Sequence, residues 1–258
     1  MYRNLRLLTN CIQRFGLLTG CRLFLLFKLK RFNNVRIPGV QSGISLRKGT
    51  TDDNTFAQVY LKEEYKTVIN ESSQLFKKDD PLVIIDGGAN IGLFTLYIKN
   101  HFTNATVICI EPDPENFQQL KQNVSTYKNV YCENAGLWIK DTKLKVYDKH
   151  NFGKWGLVVE ENLKEGNIQA VSINSLLTKH DLKRIDILKL DIETSEKILF
   201  SDNYQQWLPI TKMVVVELHD WMEEGTSRPF FEAIHKTFRK YKYSISGENT
   251  VIVNLDME

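Results

Sequence analysis

The first 51 residues contain no Asp or Glu, yet they hold ten of the 34 Lys and Arg side chains. The rest of the chain then carries 24 basic against 31 acidic residues, so the net charge of +3 is the sum of a basic head and an acidic body. The head also lacks a long apolar run. Its longest, Leu23 to Phe27, is five residues flanked by Arg22 and Lys28, which is too short to span a bilayer. No small-residue cleavage site follows an uncharged run, so no secretory signal is expected. Cysteine is sparse and unpaired in pattern: Cys11, Cys21, Cys109 and Cys132 show no C-x-x-C spacing. Reduced thiols in a cytoplasmic protein are the expectation. The composition, 42% hydrophobic and 25% charged, is that of an ordinary globular chain. Its length suits one large α/β domain at 51–258 with an extension at 1–50, and not two full domains.

What is present is centred on Leu82 to Glu111. The short apolar run Leu82 to Ile85 reads as a buried parallel strand and ends at Asp86. Gly87, Gly88, Asn90 and Gly92 follow as a tight turn, where glycine lets the backbone approach a ligand that a Cβ would obstruct. A helix is expected from Ile91, with Phe94 and Ile98 on its buried face. Ala105 to Ile110 then forms a second strand with Glu111 at its tip, placed to accept hydrogen bonds from a ribose diol. The D-x-G-x-N-x-G spacing departs from the G-x-G-x-x-G of dinucleotide sites, and no P-loop Lys follows. A cationic or neutral nucleoside suits such a turn better than a pyrophosphate.

The segments IDGGANIGLFT (85–95), IEPDPENFQQLKQN (110–123), ILKLDIETSE (187–196) and VVELH (215–219) occur in this order at familiar spacing. Together they resemble the class I methyltransferases that bind S-adenosyl-L-methionine, and within them the FkbM family. The resemblance covers roughly residues 81–219. It implies a Rossmann-like, mostly parallel sheet with a C-terminal antiparallel hairpin. It also implies a cofactor site drawn from Asp86, Gly87, Gly88, Asn90, Glu111, Pro112, Asn134 and Asp191. Acceptors in the family include polyketide-like hydroxyls and sugars. One departure matters: the family usually has Gly-Ala between the two glutamates of the fourth-strand motif, where this chain has Thr194-Ser195. A Cβ at that place is expected either to narrow the crevice or to fill the place of a bulky acceptor, and it makes the carry-over of Glu193 and Glu196 less secure.

Along the rest of the chain, Asp113, Pro114 and Glu115 form a helix start, with Phe117, Leu120 and Val124 as its buried stripe. Val130 to Glu133 is a third strand, and Asn134 after it either meets the adenine or serves the turn. Tyr65, in the lead-in to the turn, either borders the cofactor or packs. Leu144 to Tyr147, Gly156 to Glu160 and Gln169 to Ile173 read as short antiparallel strands, a candidate acceptor wall beside the parallel strands' C-terminal ends. Asn174 to His180 is expected to cap and begin a short helix. Ser227 to Tyr241 reads as helical, and the last strands close as a hairpin through Gly247-Glu248-Asn249.

Two further strands carry the chemistry. Ile185 to Leu190 ends in Asp191-Ile192-Glu193, and Met213 to Glu217 ends in Glu217-Leu218-His219-Asp220. These tips share one edge with Gly88 and Glu111. Transfer of a methyl group to a hydroxyl requires alignment and removal of the hydroxyl proton. His219 is the expected base, oriented by Asp220 or Glu217, with Asp191 and Glu193 holding acceptor hydroxyls or the sulfonium side of the cofactor. Asp191 and Glu193 could also bind a divalent metal with Glu217 or His219, but no compact metal motif is present and no resident metal is expected. The expected reaction is O-methylation of a glycan, glycolipid or small metabolite. Rivals are a nicotinamide oxidoreductase, which the turn spacing disfavours, and a non-catalytic binding module, which Thr194-Ser195 favours. The acidic body and the lack of an N-P-P-[YF] motif argue against nucleic acid. Residues 1–32, rich in Leu, Phe and Arg, are either an amphipathic helix on the inner face of a membrane or a cap packed on the domain or on a second subunit.

Overall fold

The computed structural model describes residues 2–31, 33–148 and 157–257. Its main sheet has seven strands in the order β10-β11-β9-β8-β1-β2-β3. Five are parallel: β1 (Val83–Gly87), β2 (Thr106–Ile110), β3 (Val130–Glu133), β8 (Ile185–Leu190) and β9 (Thr211–Glu217). The hairpin of β10 (Tyr241–Ser246) and β11 (Asn249–Asn254) adds the antiparallel end, β11 pairing with β9. The chain order reverses between β1 and β8, which opens a crevice at the strands' C-terminal ends, the place where open α/β sheets bind ligands.

Alternation along each strand builds two cores. Ile84, Val107, Ile187, Val215 and Val251 face one layer, which contains α3 (Lys66–Leu75), α4 (Leu93–His101) and α5 (Pro114–Val124). Ile85, Ile108, Leu188, Val214 and Ile252 face the other, with α6 (Ile173–Lys179), α7 (Glu196–Leu199) and α8 (Ser227–Thr237). Burial of each such side chain contributes about 1.5–3 kcal/mol. Helix α5 starts as its residues demand: Asp113 Oδ1 accepts from the Glu115 and Asn116 amides, and Pro114 takes the first turn. For α6 the cap is Ser172, whose Oγ accepts from Ser175 N at 3.1 Å, two residues before the expected Asn174.

A second, four-stranded sheet runs β4-β7-β5-β6. The expected short strands are β5 (Thr142–Asp148), β6 (Leu157–Glu161) and β7 (Ile168–Ser172), and the unexpected β4 (Gly136–Trp138) joins β7 in parallel. Gly153 and Gly156 lie outside the described residues.

The head is not one straight helix. Helix α1 (Tyr2–Lys28) breaks at Gly16, where φ is 77° and ψ 170°. Its second arm folds back so closely that a Cβ on Gly20 would come within 2.5 Å of the Ile12 backbone. This hairpin docks on the segment formed by α2 (Asp52–Phe56) and a π-helical turn, Ala57–Leu61. Cys11 and Leu23 enter the core, the Phe27 and Phe56 rings lie 5.2 Å apart, and Arg14 pairs with Glu63 at 3.3 Å. The outer face leaves Leu17 66% and Leu18 87% exposed. All four cysteines are free.

Candidate active site

The glycine turn packs closely against its protein neighbours. Gly88 has φ 71°, and a Cβ there would lie 1.7 Å from the Asp191 carbonyl oxygen. A Cβ on Gly92, at φ 86°, would meet Leu120 at 2.7 Å. Gly87 likewise faces Leu137 and Leu190. These glycines also let β8 and α5 close against the turn. Asn90 also sits in the left-handed region at φ 50°, a conformation Asn tolerates better than most residues.

Glu111 stands at the tip of β2 and ties the turn to its neighbour. Its carboxylate accepts from the Asn90 amide at 2.7 Å, the Asp113 amide at 2.9 Å and Asn116 Nδ2 at 3.4 Å. Burial pushes its pKa up to about 7 against these hydrogen bonds. A carboxylate offers about four acceptor sites, so one remains for a ribose hydroxyl. Asn134, by contrast, spends its amide on the Glu111 and Pro112 carbonyl oxygens at 2.9 and 3.2 Å. It braces the turn, and that bond occupies the Pro112 carbonyl as well. Tyr65 is buried edge-on against Phe94, with ring centroids 4.7 Å apart, as a packing residue.

Asp86 is wholly buried beneath the turn. Its Oδ2 accepts from Thr95 Oγ1 at 2.6 Å, and its Oδ1 lies 3.4 Å from Lys189 Nζ. Lys189 also donates to the Gly88 carbonyl oxygen at 2.9 Å and lies 3.8 Å from Asp191. Burial opposes its charge, but the Asp86 and Asp191 carboxylates hold its pKa above the ordinary value. Asp86 thus acts on the crevice through Lys189, which the sequence reading passed over. The signal was there: a lysine inside the otherwise apolar strand ILKL is out of place unless paired.

The tips of β8 and β9 meet as expected and bring Asp191, Glu193, Glu217 and His219 together. His219 Nε2 lies 3.7 Å from Asp191 Oδ1 and 3.6 Å from Glu217 Oε1. Its Nδ1 is 3.1 Å from Glu196 Oε1, which also accepts from the Ile192 amide. The orienting residue is Glu196, at 0% exposure. Asp220 is not: it turns away and receives the Ser227 amide and hydroxyl, each at 3.0 Å, at the start of α8. Burial would depress the His219 pKa, but the hydrogen bond to Glu196 and the charges of Glu196, Asp191 and Glu193 raise it to about 9. Burial and the Asp191 charge raise Glu217 to about 8 and Glu193 to about 7.

Glu196 reaches His219 because the chain turns sharply before it. Glu193 and Thr194 both adopt positive φ, 52° and 72°. The place where the resembled family has glycine is left-handed in this chain and occupied by a buried, β-branched threonine. A β-branched residue in that region carries backbone strain.

Two overlapping sets of side chains can surround a cation: Asp191, Glu217 and His219, and Glu64, Glu217 and Glu248, with ligand atoms within 4.8 Å of one another in each. The first set comes from two strands far apart in sequence, so no compact motif announces it. The acidic tips and the remaining Glu111 acceptor fit a sulfonium-bearing nucleoside. The surface cavities beside α5, lined by Arg47, Gln119 and Gln122, touch none of these residues.

The family described as "Methyltransferase FkbM domain" matches residues 86–245. Methyltransferase 1 of Beauveria bassiana is 27% identical over 166 residues, 55% of this chain and 66% of that protein. Methyltransferase sdnD of Sordaria araneosa is 26% identical over 186 residues, 58% of this chain and 70% of that protein. The chain thus spans about two-thirds of the length of these curated relatives. Among solved structures, the METTL16 MTase domain superposes with a TM-score of 0.52 at 11% identity, covering 91% of this chain and 77% of that one. That likeness is one of fold.

Proposed function

The chain belongs to the FkbM methyltransferase family, whose cofactor is S-adenosyl-L-methionine, and from that premise we propose that it methylates a hydroxyl group of a sugar, glycan or glycolipid. When bound, the cofactor supplies an electrophilic methyl group on a sulfonium. Gly88, Asn90 and Glu111 would hold its nucleoside, and the carboxylates of Asp191 and Glu193 its positive end. The observation that carries the reading is the convergence of Asp191, Glu217 and His219 beside the Gly88 turn, with Glu196 behind the imidazole.

In this reading Glu196 holds the Nδ1 proton of His219, so that neutral imidazole presents its Nε2 lone pair to the crevice. Nε2 would take the proton of the acceptor's hydroxyl as that oxygen receives the methyl group the cofactor would supply. Asp191 and Glu217 then stabilise the imidazolium. Most of the acceleration comes from alignment of the acceptor oxygen.

The head supports a place at a membrane surface. Its hairpin caps the domain with one face and presents Leu17, Leu18 and Leu25 beside Arg22 with the other. Such a face suits the headgroup region of an anionic bilayer, where a glycolipid acceptor resides, and suits a cytoplasmic protein peripheral to the inner leaflet. Among the described residues no helix is long and apolar enough to cross a membrane.

Calorimetric titration with S-adenosylhomocysteine, beside an NAD titration and an Asp86→Ala, Glu111→Ala protein, tests the premise. Micromolar binding lost in the double variant is expected. Binding of NAD, or no binding by a folded protein, would overturn it. Mass shifts of 14 Da (about one CH2, added at oxygen) in a panel of glycans and glycolipids then read the acceptor.

A further inference from the structure

One large aromatic side chain beside the crevice is left to solvent. Trp221 follows His219 by two residues and is 72% exposed, whereas Trp138 and Trp207 are buried. The exposure does not come from a loose chain. The His219 carbonyl oxygen accepts from the Met222 and Glu223 amides at 2.9 and 3.0 Å, Lys197 holds Glu223 at 2.8 Å, and Asp220 accepts the Ser227 amide at 3.0 Å. The backbone is thus tied on both sides of the indole. Its ring centroid lies 6.3 Å from that of His219, with the two planes inclined at 50°, near the outer limit of ring contact. The two rings bound an open angle and do not close on each other.

An indole held in water forgoes the burial its size would bring, and a ligand that covers it recovers that burial. The surroundings decide which ligand fits. A protein partner is met by a contiguous apolar patch, but the exposed neighbours of Trp221 in sequence are Asp220 and Glu224. No Lys or Arg lies between Lys212 and Arg228, so the segment lacks the basic residues that draw a chain to an anionic bilayer. What suits one apolar plate among carboxylates is a molecule with a C–H face and a rim of hydroxyl donors, since ionised carboxylates only accept. A sugar ring has that form. The same carboxylates, Asp191, Glu193 and Glu217 in the crevice and Asp220 beside the indole, repel a sugar that carries a carboxylate or phosphate of its own.

We propose that Trp221 is the platform on which the acceptor lies, its indole stacked on the C–H face of a sugar ring that bears no anionic group and that turns one hydroxyl towards His219. The open angle between the two rings is where such a sugar sits, and the pinned turn keeps the plate in place before the acceptor arrives. The proposal rests on the methyltransferase reading for what becomes of the hydroxyl, but the stacking is a binding claim with its own readout.

The test is saturation-transfer nuclear magnetic resonance on the full chain, with and without S-adenosylhomocysteine. The probes are methyl β-D-glucopyranoside, whose equatorial hydroxyls leave both ring faces as C–H, the acyclic polyol D-glucitol, and the anionic methyl β-D-glucuronide. Saturable transfer to the glucopyranoside ring protons is expected, with much weaker transfer to the other two. Trp221→Ala should weaken glucopyranoside binding about tenfold, while Trp221→Tyr, which keeps an aromatic plate, should stay within about twofold. Equal transfer to D-glucitol, stronger transfer to the glucuronide, no saturable transfer, or wild-type binding in Trp221→Ala would each overturn the proposal. So would a blue shift of Trp221 fluorescence with phosphatidylglycerol vesicles, absent from Trp221→Tyr, which would assign the indole to lipid. Loss of homocysteine-compound binding with the glucopyranoside response intact would sink the methyltransferase reading and leave the platform standing.

Discussion

Glu196 Oε1 and His219 Nδ1 lie 3.1 Å apart in a pocket that solvent does not reach, the carboxylate at 0% and the histidine at 2% exposure. The two are 23 positions apart in sequence and sit on different elements. Their bond fixes which imidazole nitrogen faces the crevice. His219→Ala should lower kcat by about two or more orders of magnitude with homocysteine-compound affinity nearly unchanged. Glu196→Gln should lower kcat by a smaller factor, with KM little altered. Wild-type turnover in His219→Ala would remove the imidazole from the mechanism.

The same bond sets a pH dependence. Against burial, Glu196, Asp191 and Glu193 raise the His219 pKa to about 9, with Glu217 3.6 Å from Nε2, so the neutral imidazole is the minor form at pH 7 and grows as pH rises. The expected profile of kcat climbs from neutral pH and levels near pH 9. Removal of the Glu196 charge lowers the imidazole pKa, so the climb in Glu196→Gln should end at lower pH. A flat profile, or a plateau that Glu196→Gln leaves in place, contradicts the assignment.

Thr194 occupies φ 72° as a buried β-branched residue. Relief of that conformation outweighs the entropy glycine adds to the unfolded chain, so Thr194→Gly should stabilise the protein by about 1 kcal/mol. Thermal unfolding reads the sign. A lower melting temperature would mean that the threonine side chain contributes more by packing than its backbone costs.

Lys189 and Asp86 form a pair with side-chain exposures of 3% and 0%. Lys189→Met strands the Asp86 charge under the turn and should destabilise the fold by about 3–5 kcal/mol. Asp86→Asn combined with Lys189→Met should recover much of that loss in denaturant unfolding. Additive losses in the double variant would show that the two side chains act independently.

Leu17 and Leu18 project from the broken end of the head hairpin, 66% and 87% exposed. Leu17→Ser with Leu18→Ser leaves the docked face untouched, so stability should change by less than about 0.5 kcal/mol. Sedimentation with anionic vesicles should fall sharply and should fall further in high salt. Unchanged sedimentation would assign this face to something other than lipid.

The sequence by itself determined the scaffold, because a parallel sheet writes itself into local patterns. Short apolar runs ending in Asp86, Glu111, Asp191 and Glu217 gave the strand tips, and the glycine turn and the Asp113-Pro114 cap gave the connections between them. Those features are local in sequence, where periodicity and turn chemistry act. The tertiary structure alone decided which partners the tips find. Glu196 and not Asp220 orients His219, since two strained residues swing the start of α7 beneath the imidazole while Asp220 is taken up by α8. Gly88 is glycine because the Asp191 carbonyl comes there. Asp86 turns inward to Lys189, and Glu64 meets Glu248 across the sheet's far end. Each of these is a contact between segments distant in the chain, set by register and crossover packing that no single stretch of residues encodes.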